Sequence, residues 1–264
     1  MDDSAVGLRI EVAGETNVGM KRTHNEDNFS ITEERGLYVV ADGMGGHASG
    51  EVASKMAVDA LRDFFAATAD DPERTWPYKM DRTKGYEENR LITGIKLANL
   101  RIFETAQRDA GKRGMGTTIV VLFAVEDGVY IAHVGDSRGY RIRDGKIEQL
   151  SEDHSLLNDY IKMKRLTPEE IANFPHKNVI VRALGMKDTV KVDTRFEKPQ
   201  ANDIYILCSD GLSGPVDDAT MLEICMQHTD IKVMATKLIE RANENGGPDN
   251  ITAVVARWVE DTSS

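Results

Sequence analysis

An α+β sandwich, two stacked antiparallel sheets with helices outside them, is the fold class the sequence predicts, and three observations predict it. Short apolar runs recur along most of the chain, bounded by Gly, Asp, Asn and Pro. Asp127-Gly128 and Asp144-Gly145 supply hairpin turn chemistry between neighbouring runs, so the middle of the chain reads as an antiparallel meander. Helical periodicity is confined to pairs of segments, one pair early and one late. Strands in long antiparallel series with helices grouped in pairs bury their apolar faces best as stacked sheets covered by helices.

Taken in order, strands are expected near 8–13, 28–33, 37–41, 116–125, 128–134, 138–143, 190–196, 203–209 and 251–258. Val52, Met56, Ala60, Leu61, Phe64 and Phe65 form one apolar helical stripe, and Leu91, Ile95, Leu97, Ala98, Ile102 and Phe103 form the next. Residues 70–88 between them read as a long loop. Two late helices are expected at 217–228 and 230–245, the second stopped by Asn245-Gly246-Gly247-Pro248. Residues 151–180 are the least regular stretch and read as a mobile flap. Within it Thr167-Pro168-Glu169-Glu170 opens a helix, with Thr167 as N-cap and Glu170 closing a capping box.

The 264 residues are enough to bury a substantial core as one domain, 1–264, with its core at about 8–258. A composition of 41% hydrophobic and 29% charged residues is that of a folded protein. The net charge of −11 argues against a general nucleic-acid or anionic-membrane binder. Lys162-Met163-Lys164-Arg165 is a local basic patch whose plainer reading is a solvated helix face. Two cysteines, Cys208 and Cys225, are too few for a disulfide framework and imply a reducing compartment. No charged-then-apolar leader opens the chain and no run approaches the roughly 18 apolar residues of a membrane span, so it reads as cytoplasmic, with a domain trimmed from a membrane-anchored parent as the alternative, and a monomer is expected.

Carboxylates recur where apolar runs meet turns: Asp42-Gly43 after Leu37–Ala41, Asp136 after Gly128–Gly135, Asp210-Gly211 after Asp203–Ser209, and Asp249 before Ile251–Ala256. An Asp-Gly pair is first of all a turn signal, but four such edges brought together would set like charges against one another. At about 4 Å and an effective dielectric near 20 each close pair costs a few kcal/mol, which divalent cations would remove. Magnesium and manganese prefer carboxylate, carbonyl and water oxygens. Asp42, Asp210 and Asp249 offer carboxylates, and Gly43 offers a carbonyl at a sharp strand end. Arg22 lies a few residues before Glu26 and Asp27, and its guanidinium can hold phosphate oxygens bidentately. The pattern points to a metal-dependent phosphate-cleaving enzyme.

Arg22-x-x-Asn25-Glu26-Asp27, Asp42-Gly43-x-Gly45-Gly46, Val134-Gly135-Asp136-Ser137-Arg138, Ser209-Asp210-Gly211-Leu212 and Asp249-Asn250-Ile251-Thr252 resemble, in order and spacing, the motifs of the metal-dependent serine/threonine protein phosphatases. This is the PPM or protein phosphatase 2C family, in its bacterial branch. The resemblance implies a four-layer α/β/β/α sandwich with manganese or magnesium at one end. It implies that Asp42 bridges two ions, that Asp210 and Asp249 complete the first, and that the Gly43 carbonyl serves the second. Glu26 and Asp27 match positions that hold metal-bound waters. Asp136, with Asp210, matches a third and weaker ion position, and Arg22 matches the phosphate-binding arginine. The expected reaction is direct in-line attack on phosphoserine or phosphothreonine by a hydroxide bridging two cations. The implied partners are phosphorylated proteins and an opposing serine/threonine kinase. In many members a histidine two residues after the bridging aspartate is the proposed general acid. This chain has Met44 there, leaving His47 as candidate acid or as cap of the helix near Ser49.

Other phosphatase chemistries fail on residues. A cysteine nucleophile wants an arginine six residues on, where Gly214 and Ile231 stand after Cys208 and Cys225, and no Asp-x-Asp pair occurs. The rival class is a phospho-binding pseudophosphatase that keeps the fold without turnover. A narrower alternative is a dedicated regulator phosphatase of a partner-switching circuit.

Overall fold

The structure is a computed structural model and describes residues 7–45, 49–69, 76–164, 166–175 and 179–261. In chain order its strands are β1 (Leu8–Asn17), β2 (Asp27–Thr32), β3 (Leu37–Met44), β4 (Gly116–Thr117), β5 (Ile119–Val125), β6 (Gly128–Val134), β7 (Arg138–Arg143), β8 (Lys146–Gln149), β9 (Asp193–Glu197), β10 (Ile204–Cys208) and β11 (Ile251–Glu260). The α-helices are α1 (Ser49–Ala69), α2 (Tyr86–Arg108), α3 (Leu156–Lys164), α4 (Pro168–Ala172), α5 (Asp210–Ser213), α6 (Asp218–Gln227) and α7 (Ile231–Glu244). One antiparallel sheet runs β1-β11-β10-β7-β8 and the other β2-β3-β5-β6-β9, with β4 on β3.

Side-chain alternation builds the layers. In β3, Tyr38 and Val40 join β10 Tyr205 and Leu207 and β11 Val254, Ala256 and Trp258 in the apolar layer between the sheets. The alternate residues Leu37, Val39 and Ala41 turn outward to α1 and α2. On the other side Ile204, Ile206 and Cys208 of β10 turn outward to α6 and α7. Strands buried on both faces read as continuous apolar runs because neither face meets water. Three apolar layers separate four layers of backbone, as the α+β sandwich expectation requires.

The strands expected at 128–134 and 138–143 have those limits. The expected 116–125 strand divides at Thr118, whose N–H donates to Asp42 O at 2.8 Å and so leaves the ladder. Asp144 and Gly145 form the hairpin turn with φ of 51° and 69°. The preceding hairpin turns instead at Glu126-Asp127, and Gly128 is already in β6, paired with Val125. The strand expected at 190–196 begins later, at Asp193.

The α1 stripe is rotated from the expected one. Ala53 and Ala57 are fully buried, while Val52, Met56 and Phe64 are only partly so. The flap region contains α3, which the sequence pattern did not predict, and α4 with the predicted Thr167–Glu170 capping box. In the basic patch, Lys162 pairs with Glu152 at 2.7 Å and Met163 is exposed, as a solvated face requires, and Arg165 lies outside the described residues. No helix among the described residues is long and apolar enough to cross a membrane.

Candidate functional site

The layer between the sheets ends in oxygen. In β3 the alternation that buries Tyr38 and Val40 continues to Asp42, and in β2 the alternation of Ile31 and Phe29 continues to Asp27, the direct cross-strand partner of Asp42. From the opposite sheet the same count, past Leu207 in β10 and Val254 in β11, reaches Ser209 and Thr252. Both hydroxyls donate across the sandwich to Asp27 Oδ2, from Ser209 at 2.8 Å and from Thr252 at 2.6 Å. Asp27 Oδ1 is buried without a protein partner.

Asp210 opens α5 and Asp249 stands two residues before β11. Asp136 follows Gly135, which takes φ +109° in the β6–β7 turn, where a Cβ would lie 2.7 Å from the Thr118 side chain. Asp136 Oδ1 is likewise buried and unpartnered. Thr117 and Thr118 brace the Asp42 main chain, Thr117 Oγ1 donating to its O at 2.8 Å and its N donating to Thr118 Oγ1 at 3.1 Å. At Gly43 a Cβ would meet Gly50 O at 2.1 Å and Glu26 O at 2.6 Å, so only glycine lets the end of β3 pass between them.

The carboxylates act on one another. Burial lifts the Asp42 carboxyl well above its ordinary value, and the charges of Asp27, Asp210, Asp136 and Asp249 lift it further. Burial raises Asp27 to about 6, against the pull of the Thr252 and Ser209 hydroxyls. Burial and then Asp210 raise Asp136 to about 7. Asp210 is raised by burial and by Asp249, and a hydrogen bond with Asp42 works the other way. Hard oxygen donors, two of them orphaned, held together against mutual repulsion, fit divalent cations of the magnesium and manganese kind.

Arg22 sits half-exposed at the rim, its Nη2 2.7 Å from Asp249 Oδ2. Glu26 lies beside the end of β3. Its carboxylate packs where a Gly50 Cβ would stand, at 2.8 Å, and His24 Nε2 is 3.4 Å from its Oε1. A cavity of about 460 Å³ opens beside Asp136, Asp210 and Asp249, walled by Arg138, Asp153 and Leu157. Met44 ends β3 opposite Gly116. His47 lies outside the described residues.

Sequence reasoning passed over the residues that hold the ligands in place. Asn250 is 4% exposed and fastens the whole 18–26 loop. Its Oδ1 accepts from Glu26 N at 2.8 Å, and its Nδ2 donates to Val18 O at 2.9 Å and His24 O at 3.0 Å. Ser209 and Asn250 adjoin Asp210 and Asp249, Thr252 lies three residues past Asp249, and the rule that a buried carboxylate needs donors is the signal that finds them. Asn250→Ala strands three main-chain groups that carry Arg22 and Glu26. It is expected to cost about 2–4 kcal/mol of stability, read by urea unfolding. It is also expected to raise KM for a phosphopeptide more than it lowers kcat.

Among the described residues, one group of three His, Cys, Asp or Glu side chains has ligand atoms all within 4.8 Å of one another: His133, His154 and Asp193. At the acidic end of the sandwich Asp249 is engaged by Arg22 and by its own Asn250 N–H, 2.8 Å from Oδ1. The histidine group already holds a cation. Arg182 Nη1 lies 2.9 Å from His154 Nε2 and donates to Asp193 Oδ2 at 3.1 Å.

A family model described as protein phosphatase 2C matches residues 19–256. The serine/threonine phosphatase Stp of Listeria innocua is 38% identical over 247 residues, covering 91% of this chain and 92% of that protein. The crystal structure of the Mycobacterium tuberculosis serine/threonine phosphatase PstP/Ppp superposes with a TM-score of 0.80 at 36% identity, covering 95% of this chain and 99% of the other. The catalytic domain of PstP in complex with two manganese ions gives 0.78 at 34% identity, covering 96% and 100%. With the family's motifs in order and its two-sheet architecture in place, the chain belongs to the protein phosphatase 2C family.

Proposed function

We infer that the acidic end of the sandwich is where this chain carries out the family's serine/threonine protein phosphatase activity, cleaving phosphoserine and phosphothreonine in proteins. The observation that carries the reading is the convergence of Asp27, Asp42, Asp136, Asp210 and Asp249, each raising or raised by another. In this reading Asp42, Asp210, Asp249 and the Gly43 carbonyl hold two ions of manganese or magnesium, Asp136 with Asp210 takes a third, and Glu26 and Asp27 hold waters of the ion shell. When bound, the cations supply the positive charge that offsets the carboxylates and the phosphate and that acidifies water toward neutral pH.

The chain's own residues do the positioning. Arg22 turns from Asp249 to the phosphate oxygens, where its fork-shaped donors stabilise charge that grows on them in the transition state. Asp27, fixed by two hydroxyls from the opposite sheet, has one oxygen committed and one free for water. Arg138 stays out of the reaction because Asp153 occupies it, with Nη2 to Oδ2 at 2.7 Å and Nε to Oδ1 at 3.0 Å. The phosphoproteins acted on, and a serine/threonine kinase opposing the chain, belong to the same proposal.

The direct experiment is hydrolysis of p-nitrophenyl phosphate and of a phosphothreonine peptide with and without manganese. Turnover of both only with metal is expected. Binding of phosphopeptide without turnover under either metal would instead make the chain a pseudophosphatase. Met44 has no proton to give, so His47 remains the candidate acid. His47→Ala is expected to slow the phosphopeptide about 10²-fold or more, the usual worth of general acid catalysis. p-Nitrophenyl phosphate, whose leaving group needs no proton, should change little. Equal rates on the peptide for wild type and variant remove His47 from that role.

A further inference from the structure

His154 makes contacts that the reaction itself does not call for. Its main-chain N donates to Gly135 O at 2.9 Å, and its ring Nδ1 accepts from Gly135 N at 3.0 Å, so one residue grips both sides of the glycine that precedes Asp136. Because a main-chain N–H occupies Nδ1, the proton of the neutral ring is on Nε2, which donates to Asp193 Oδ2 at 2.9 Å, and Arg182 Nη1, 2.9 Å from the same Nε2, gives its own proton to that carboxylate oxygen. Burial keeps the ring neutral, with its pKa brought down to about 4, so Nδ1 remains an acceptor at neutral pH. The ring also stacks on His133, centroids 4.7 Å apart, and His133 Nε2 is fixed 2.8 Å from Glu152 O. The imidazole therefore cannot turn without breaking contacts on three sides.

The same residue ties together the two ends of the segment that contains α3 and α4. Val181 N donates to His154 O at 2.9 Å, and Leu156 N donates to Val179 O at 2.8 Å. Arg182, just past the segment, bonds the Asp193 carboxylate that orients the ring, and Lys191 Nζ approaches its other oxygen at 3.4 Å. Asp136 thus stands at the end of a rigid chain of contacts that runs Arg182, Asp193, His154, Gly135. A carboxylate on one ring nitrogen fixes a histidine's tautomer and orientation, and here the other nitrogen is occupied by a main-chain amide, so the ring holds the backbone of the turn.

We propose that His154, oriented by Asp193, is a positioning residue that sets the Gly135–Asp136 turn and so fixes the Asp136 carboxylate for its cation. The proposal rests on the reading of Asp136 as an ion ligand. It places no demand on His154 to touch substrate or metal.

The test uses the full chain and compares His154→Ala, His154→Asn, Asp193→Asn and Asp136→Ala, with manganese as the probe. Asn places its side-chain oxygen near the position of Nδ1, so it keeps the acceptor for Gly135 while losing the reach to Asp193. Amide hydrogen exchange at Gly135, read by NMR without metal, is expected to speed up at least tenfold in His154→Ala and to remain near wild type in His154→Asn. Calorimetric titration of manganese is expected to show the weakest-bound ion loosened roughly 10–100-fold in His154→Ala, the usual cost of losing an outer-shell partner. The tighter ions should be unchanged, and Asp193→Asn should give a smaller shift in the same direction.

In an Asp136→Ala background, adding His154→Ala should change manganese binding no further, because the histidine acts through that carboxylate. Unchanged Gly135 exchange in a folded His154→Ala protein overturns the proposal. So does a loss of manganese affinity of the same size in the Asp136→Ala background. Should Asp136→Ala alone leave manganese binding untouched, the assignment of Asp136 as a ligand fails, and the proposal fails with it for that separate reason.

Discussion

Asp42→Asn is expected to lower turnover of a phosphothreonine peptide by about 10²–10³-fold, the scale on which one preorganised electrostatic group counts, while making the metal-free protein more stable. Both effects come from the same carboxylate. Asp42 is the group whose charge is most opposed by burial and by its neighbours Asp27, Asp210, Asp136 and Asp249. Its folded-state pKa lies above the ordinary 3.8, so ionisation costs the native state more than the unfolded one. The native state then holds more protons than the unfolded state between those two values, and stability falls as pH rises through that window. Asp27, at about 6, and Asp136, at about 7, act in the same direction.

In chelator, these carboxyls should therefore lower the melting temperature of the wild type between about pH 4 and about pH 7, against an opposing gain from buried His154 and His133, whose lowered pKa values favour the folded state as the unfolded rings lose their protons. Asparagine does not ionise, so the variant escapes the Asp42 share of that decline and the two curves separate as pH rises. Manganese reverses the order, because ligand binding to the folded state stabilises wild type by RT ln(1 + [L]/Kd) and the variant has lost that affinity. Differential scanning with chelator and with manganese reads both arms. An Asp42→Asn protein that is less stable than wild type in chelator at pH 7.5 would contradict the repulsion described above.

Gly43→Ala is the second large effect, and it tests the backbone rather than the charge. The added methyl would stand 2.1 Å from Gly50 O and 2.6 Å from Glu26 O. Both neighbours are main chain, one opening α1 and the other held at Gly43 N by a 3.2 Å hydrogen bond, so neither gives way cheaply. Overpacking of this kind costs roughly 1–3 kcal/mol and sometimes more. Relief by a shift of about 1 Å at the end of β3 would move the carbonyl and Asp42 together, which costs about 10²-fold in rate where geometry is critical. The expected outcome is a folded protein with lower melting temperature, weakened manganese binding and turnover reduced by about that factor. Near-wild-type kinetics in Gly43→Ala would mean that the strand end tolerates movement and that its placement is not what the glycine secures.

Much of the architecture was legible because turn chemistry and alternation agreed. β6 and β7 fall where expected, since each apolar run is bounded by residues that cannot continue a strand. β8 escaped notice because Lys146-Ile147-Glu148-Gln149 is a four-residue edge strand with a single apolar side chain, too short for a period to show. The division between β4 and β5 was hidden for a different reason. Thr117 and Thr118 suit a strand by propensity, and only the three-dimensional neighbour Asp42 draws their hydroxyls and an N–H away from it. The rotation of α1 reflects packing: Ala53 and Ala57 sit deepest because small residues let the helix approach the sheet, whereas the large residues Met56 and Phe64 flank the contact.

At the site, the aspartates were visible as charges at strand ends, and the structure gathers Asp27, Asp42, Asp136, Asp210 and Asp249 at one end of the sandwich. Their supports were not visible. Ser209, Thr252 and Asn250 act across 182, 225 and 224 residues of sequence respectively, on Asp27 and on Glu26, and no local pattern encodes a partner at that distance. His154 is the same case. Its contact with Gly135 spans 19 residues and depends on a ring orientation set by Asp193.

The most direct measurement is an anomalous difference map from crystals grown with manganese, collected near the manganese absorption edge. Peaks bound by Asp42, Asp210 and Asp249 and by the Gly43 carbonyl are expected, with Arg22 facing them. A single peak at His133, His154 and Asp193, with the acidic end of the sandwich lacking any, would contradict that assignment.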